Sequence, residues 1–309
     1  MSDQTLKAPV SARTKIKPDP SQVVLRNVSG LFTGIFAFLC ILPFWLIVAN
    51  SFETEGNIIK LGFTLWPRDF TIFSYKLIFE NPDLIVGSYI ATILLTVIGT
   101  AIGLFVVSMT GYALQRPDFN ARNGISFFIY FTTLFSGGLV PFYLLMTKYL
   151  QLKDNYLAVL LPALISPWLI ILMKNFTKSV PHSITESAKI DGAGDFMIFL
   201  KIILPMLTPA LATVGLFLAL GYWNEWYNAM LFLSPNIKYR PLQLFLYNIV
   251  TKADFIKNSA AMSNVPPQDV PLESMKMATA VVATGPIIMV YPFVQKYFIQ
   301  GITVGAVKG

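Results

Sequence analysis

The chain has 309 residues, 55% hydrophobic and 13% charged, with a net charge of +7 at pH 7. The charged share is about half the roughly 25% of soluble domains, which points to a membrane protein. One Cys and one His exclude a disulfide framework, a Cys/His zinc site and any catalytic pair that needs two histidines, and the positive charge requires no nucleic acid, because basic residues beside membrane spans fix orientation.

Residues 1–26 carry Lys7, Arg13, Lys15, Lys17 and Arg26 without a sustained apolar period and read as a mobile tail. From Asn27 to Phe52 no charge occurs, a length that spans a bilayer core; a signal peptide competes, but the apolar run is too long and no small-residue cleavage site follows. Cys40, inside that run, reads as a small buried hydrophobe. Residues 53–84 hold Glu53, Glu55, Asp69, Trp66-Pro67 and Asn81-Pro82 and suggest an ordered external loop. A second span, about 85–110, contains Gly99 and Gly103, a small-xxx-small pair that lets another helix approach.

After a short polar loop at 111–122 comes a third span, about 124–147, interrupted by Ser136-Gly137-Gly138 and Pro141. Such a break fits either a translocation path or a packing kink. The fourth span, about 156–173, contains Pro162 and Pro167. Residues 180–205 then form a polar insert that reads as two short helices. Ser183 followed by Glu186 fits a capping box, starting the first helix near Ile184. Gly192-Ala193-Gly194 permits a sharp turn before an amphipathic segment from Asp195 to Ile203, and Pro205 opens the next apolar run. His182 reads as a surface residue.

The fifth span, about 206–233, carries Trp223, Asn224, Glu225, Trp226 and Asn228. On one helix the two tryptophans fall on neighbouring positions of one face and the two asparagines share another. Rings beside amides and a carboxylate suit a sugar, whose C–H faces stack and whose hydroxyls exchange hydrogen bonds; an aromatic belt at the outer interface is the plainer alternative. Residues 234–276 read as a long polar loop and about 277–295 as a sixth span. Lys and Arg lean towards the side holding the tail, the 111–122 and 174–204 loops and the C-terminal end, and half of those on the opposite side lie in one long loop, which counts less. Both termini are therefore expected in the cytoplasm. No deep charge other than Glu225 offers a proton relay, and no phosphate-cradling Gly-Lys-Ser/Thr loop is present, so ATP as a power source requires another polypeptide.

Glu186-Ser187-Ala188, Gly192, Ile202 and Leu204-Pro205 resemble the hallmark of ATP-binding-cassette importer permeases: Glu-Ala-Ala, three residues, Gly, nine residues, Ile, one residue, Leu-Pro. Ser187 replaces the first Ala. The resemblance covers about residues 28–309. The Trp223-Asn224-Glu225 cluster, the 234–276 loop and the ending Gly301 to Gly309 look like the carbohydrate branch, close to the second permease of the maltose type and to permeases for oligomeric saccharides. It implies an all-α polytopic permease of a bacterial cell membrane, with a six-helix domain at 27–300 and tails at 1–26 and 301–309. It also implies a second permease, two ATPase subunits that bind ATP and Mg, and an extracytoplasmic solute-binding protein, with no cofactor or metal in this chain. Glu186, Ser187, Ala188, Asp191, Gly192, Ile202, Leu204 and Pro205 would couple to an ATPase; Gly305, Val307, Lys308 and Gly309 would reach the ATPase interface; and the 234–276 loop would meet the binding protein. The chain itself would then be a transport subunit with no catalytic residue. An ion-coupled secondary carrier is the alternative.

Overall fold

The computed structural model describes residues 20–262 and 271–306. Helix α1 (Pro20–Asn50) reaches back into the expected tail, so Arg26 is helical. It stands beside the bundle with Phe32, Phe36 and Leu39 exposed, and Cys40 is exposed too, contrary to the expected burial. The C-terminal end of α1 is its anchored end. There Asn50 is fully buried, donating from Nδ2 to the carbonyls of Leu46 and Thr64 and accepting from Thr64 N.

The following loop is ordered, as expected, around a buried carboxylate. Glu53 accepts from the backbone N–H groups of Arg68, Asp69 and Thr54 and from Asn57 Nδ2. Burial alone raises a carboxyl pKa, but these donors outweigh it and hold Glu53 below its ordinary value. The loop contains α2 (Glu55–Leu61) and α3 (Phe73–Ile78).

Helix α4 (Pro82–Gln115) is the central column of the fold. Pro82 opens it, where a missing N–H costs nothing, and Arg116-Pro117 ends it, because the residue before a proline is pushed out of helical conformation. Gly99 lies against the buried ring of Tyr222, and a Cβ there would come within 2.5 Å of it; Gly103 faces Leu218. The small pair thus does bring another helix close.

The later apolar segments are broken. Helix α5 (Arg122–Leu134) stops before Gly138, whose φ of 85° no β-branched residue would adopt cheaply, and α6 (Leu139–Leu144) continues into a π-helical turn to Tyr149, with a 116° bend between the two arms. Pro141 lies inside α6. Helices α7 (Leu157–Leu164) and α8 (Pro167–Thr177) meet at 41°, with Ser166 Oγ accepting from Leu169 N at the start of α8.

Helix α9 (His182–Ile190), α10 (Asp195–Ile198), a π-helical turn at Phe199–Ile203 and the short α11 (Leu204–Met206) then lead into α12 (Thr208–Trp223) through an 87° corner. At the corner Leu207 is buried, its N–H donates to the carbonyls of Ile203 and Leu204, and its own carbonyl accepts from Leu211 N. Among the described residues α1 and α4 are each long and apolar enough to cross a membrane, and the three bent pairs qualify when each is taken as one span.

Three expectations change from the end of α12 onward. It ends at Trp223, and α13 (Tyr227–Phe232) starts after a break, so the fifth span is not one helix. The 234–276 loop contains a 21-residue helix, α14 (Leu242–Met262), whose Leu242, Leu246 and Ala253 pack on Ile85 of α4 and on Met275 and Ala278. Helix α15 (Leu272–Ala306) exceeds the expected 277–295 at both ends. Its N-terminus is capped from a distance: the Glu55 carboxylate accepts from Glu273 N at 2.9 Å and Ser274 N at 3.1 Å, placing negative charge at the positive end of the helix dipole.

Candidate functional site

Three consecutive backbone hydrogen bonds close the turn after α9. Ala193 N donates to Ala188 O, Gly192 N to Lys189 O, and Asp191 N to Ser187 O. With Gly192 at φ 82°, this is a Schellman ending, in which a left-handed residue lets the chain satisfy the last helical carbonyls and reverse. The family-motif residues divide by face. Ala188 is buried, and Ile202 and Leu204 pack against the same core, which also holds Val107, Met173 and Phe199. Glu186, Ser187, Asp191, Gly192 and Pro205 are exposed, beside Ile190 at 86% exposure and Phe196 at 59%. One side of the hairpin therefore holds it to the bundle and the other is free.

The expected capping box does not form. Helix α9 begins at His182 with Pro181 as its N-cap and no side-chain cap, so Glu186 lies two residues past the position from which it could reach back. Its carboxylate instead meets His182 Nδ1 at 3.0 Å.

A set of charges that sequence reasoning missed joins this hairpin to the end of α4. Arg116 donates from Nε to Asp118 Oδ1 at 2.9 Å and pairs through Nη1 with Asp195 at 2.7 Å, while Lys189 Nζ lies 2.7 Å from Asp118 and 3.5 Å from Asp195. The Arg116 guanidinium holds the carboxyl groups of Asp118 and Asp195 below the usual range, with Lys189 adding to the effect. The Arg116 side chain is only 16% exposed. Underneath, Tyr112 of α4 stacks on Phe199 of the hairpin, ring centroids 5.6 Å apart. Nothing local announced this set, since Asp195 is distant in sequence from Arg116 and Asp118.

At the other end of α12 the predicted aromatic and amide residues take separate roles. Trp223 is half-buried, packs against the core formed by α3, α4, α14 and α15, and donates from Nε1 to Ala283 O. Glu225 turns inward: its carboxylate accepts from Asn228 N at 2.8 Å and Asn228 Nδ2 at 3.0 Å, capping α13 and fixing the break. Trp226 and Asn224 face outward and meet α14. Trp226 stacks on Tyr247, centroids 4.8 Å apart, and Asn224 Oδ1 accepts from Gln243 Nε2. Trp226 and Tyr247 are 37% and 42% exposed. Gln243 and Tyr247 went unrecognised because their helix was read as loop. A cavity of about 380 Å³ lies elsewhere, between α4 and α7, with a largely apolar wall including Ile90, Leu94 and Ile98.

Of the predicted tail contacts, Gly305 is helical in α15, whereas Val307, Lys308 and Gly309 lie outside the described residues. Among the described residues no group of His, Cys, Asp and Glu is arranged to hold a metal ion.

The family model described as "Binding-protein-dependent transport system inner membrane component" matches residues 119–304. The chain is 42% identical over 280 residues to the polygalacturonan/rhamnogalacturonan transport system permease protein YtcP of Bacillus subtilis (strain 168), covering 90% of this chain and 96% of that one. It is 28% identical over 302 residues to the arabinooligosaccharides transport system permease protein AraQ of the same organism, covering 95% and 100%. Among solved structures, a chain of a bacterial ABC transporter involved in the import of the acidic polysaccharide alginate superposes with a TM-score of 0.74 at 31% identity, covering 92% of this chain and all of that chain.

Proposed function

From the premise that this chain belongs to the binding-protein-dependent transport system inner membrane components, we propose that it is one permease of an ATP-driven importer that moves an oligosaccharide by alternating access. The observation that carries the reading furthest is the hairpin with one face bound to the bundle and the other exposed, centred on the left-handed Gly192. In this reading the exposed face of α9, with Glu186, Ser187, Asp191 and Ile190, seats on an ATPase subunit. ATP and Mg belong to two such subunits. A second permease faces this one, and an extracytoplasmic binding protein delivers the sugar near the outer end of α12. The chain crosses the inner membrane six times with both termini in the cytoplasm.

The energetic demand is modest. Binding one ATPase state better than the other by a few kcal/mol shifts the two membrane conformations from mostly one to mostly the other. The sugar relatives support an oligosaccharide as cargo, and the exposed Trp226, Asn224, Tyr247 and Gln243 supply ring faces and amides that suit it. Trp223, Glu225 and Asn228 hold that region in shape.

The test is uptake by the complete importer in proteoliposomes, supplied with labelled oligogalacturonides or arabino-oligosaccharides and the binding protein. Uptake that needs internal ATP and persists after ion gradients are collapsed is expected. Uptake by this chain alone, abolished by an ionophore, overturns the reading in favour of a secondary carrier. In the same assay, deleting Val304 to Gly309 is expected to alter the ATP hydrolysed per sugar moved, and an unchanged ratio removes the proposed tail contact.

A further inference from the structure

The hairpin joins α12 through the chain itself, by way of the corner at Leu207. A second join runs to α4 and uses residues outside the importer motif except by proximity. We propose that Arg116 is a positioning residue that ties the coupling hairpin to α4, so that movement of the hairpin enters the bundle through two helices rather than one. This rests on the hairpin being the ATPase contact.

Arg116 sits where α4 ends, and its backbone carbonyl is held by Arg122 Nη1 at 3.2 Å. Its planar fork is engaged on two sides, by Asp118 in its own loop and by Asp195 at the first turn of α10. A lysine offers a single point charge and could not span both carboxylates in that fixed geometry. The guanidinium also lies over the ring of Tyr112, 5.8 Å from its centroid, and that ring stacks on Phe199 in the π-helical turn of the hairpin. Ion pairs and aromatic stack thus connect the same two elements at neighbouring positions. Lys189, in the last turn of α9, joins both aspartates, so each helix of the hairpin is tied to the α4 end.

Exposed ion pairs stabilise a fold little, and a set drawn across two elements is better suited to fixing their relative position. Helix α4 carries that position outward, because Gly99 is in contact with Tyr222 near the outer end of α12. Tyr222 in turn directly precedes the Trp223 to Asn228 segment.

The set holds two positive and two negative groups, so exchanging Arg116 and Asp195 conserves its charge. The complete importer is reconstituted with its binding protein, and ATP hydrolysed per saccharide moved is measured for R116D, D195R and R116D/D195R. Each single variant is expected to raise the ratio several-fold, and the double variant to return it to within about twofold of the parent, the non-additivity expected of contacting residues. Singles that match the parent, or a double no better than the worse single, overturn the tie. If R116D fails to assemble, R116K and D195N take its place, and a ratio unchanged in both is equally fatal. Gly192→Asp run alongside separates the two levels: a silent Gly192 variant sinks the hairpin as ATPase contact, whereas silent Arg116 variants beside an uncoupled Gly192 variant sink only the tie.

Discussion

The hairpin at 182–206 and the cluster around 222–247, the outer one in the proposed orientation, each contain a break between helices, yet the turn of the first is closed by neighbours in sequence whereas the exposed face of the second is assembled by distant partners. The hairpin turn is closed by backbone hydrogen bonds between residues at most five apart, from Ala193 to Ala188 and from Gly192 to Lys189. The outer cluster is assembled across the fold: Trp226 needs Tyr247, Asn224 needs Gln243, and Trp223 needs Ala283. A device that must keep its shape while being pushed benefits from local closure. A surface assembled from several helices changes when they move, which suits the cargo contact proposed for it.

The largest expected effect breaks the hairpin side of this comparison. Gly192 has φ 82° and open space around it, so the obstacle to a side chain is conformational, on the order of 1 kcal/mol, plus whatever the new group does to the docking face. Gly192→Asp is expected to leave insertion intact and to lower sugar uptake at least about tenfold, against the roughly fivefold that about 1 kcal/mol of strain corresponds to. Pull-down of the ATPase subunit measures whether docking or coupling has failed.

The outer cluster sets the next scale. Aromatic pairs contribute about 0.5–1.5 kcal/mol beyond area burial, so Tyr247→Ala or Trp226→Ala is expected to reduce uptake about 2- to 10-fold. The double variant is expected to lose little more than either single, because each ring supports the other. Trp223→Ala is a poor probe of cargo, since it removes packing and the bond to Ala283. Additive losses at Trp226 and Tyr247 mean the rings act separately.

A smaller effect is expected for Glu186→Ala. Its partner His182 is exposed and one turn away, and such pairs are worth about 0.2–0.5 kcal/mol, so assembly with the second permease should be normal and only ATPase coupling reduced, by a few-fold. Failure to insert contradicts this.

The smallest concerns pH. Asp118 and Asp195 have depressed pKa values, so their contribution is complete above the ordinary carboxylate range and is lost as pH falls through the depressed values. Between about pH 5.5 and 8 the set contributes in full, so the coupling ratio is expected to show no pH dependence from it there, whereas about 1 M salt, with a screening length of about 3 Å, is expected to weaken coupling. A drop between pH 8 and 5.5 that R116D abolishes contradicts this assignment.

The same division explains what the sequence made legible. Gly192 and the turn after it could be read because every atom involved lies within a few residues. The start of α9 differs from the Ser183 capping box because the helix already begins at His182, directly after the extended Pro181, with no side-chain cap. The face assigned to Trp223 and Trp226 assumed one unbroken helix; Glu225 folding back onto Asn228 ends that periodicity. Helix α14 escaped notice because its polar residues outweigh a narrow buried stripe, whose partner Ile85 lies far earlier in the chain. Of the two partners of Arg116, Asp118 is close in sequence but Asp195 is not, so the link to the hairpin could not be read.

The corner at Leu207 makes the hairpin and α12 a bell-crank. The arm from Asp195 to Met206 is about 18 Å long and α12, with 16 residues, about 24 Å. With the two arms held near 87° by the hydrogen bonds on either side of Leu207, pushing the hairpin tip by about 3 Å swings α12 through about 10° and carries its outer end about 4 Å sideways. That travel is comparable to the 4.8 Å between the Trp226 and Tyr247 ring centroids, so under the proposed function a stroke of atomic size at the hairpin would suffice to part those rings.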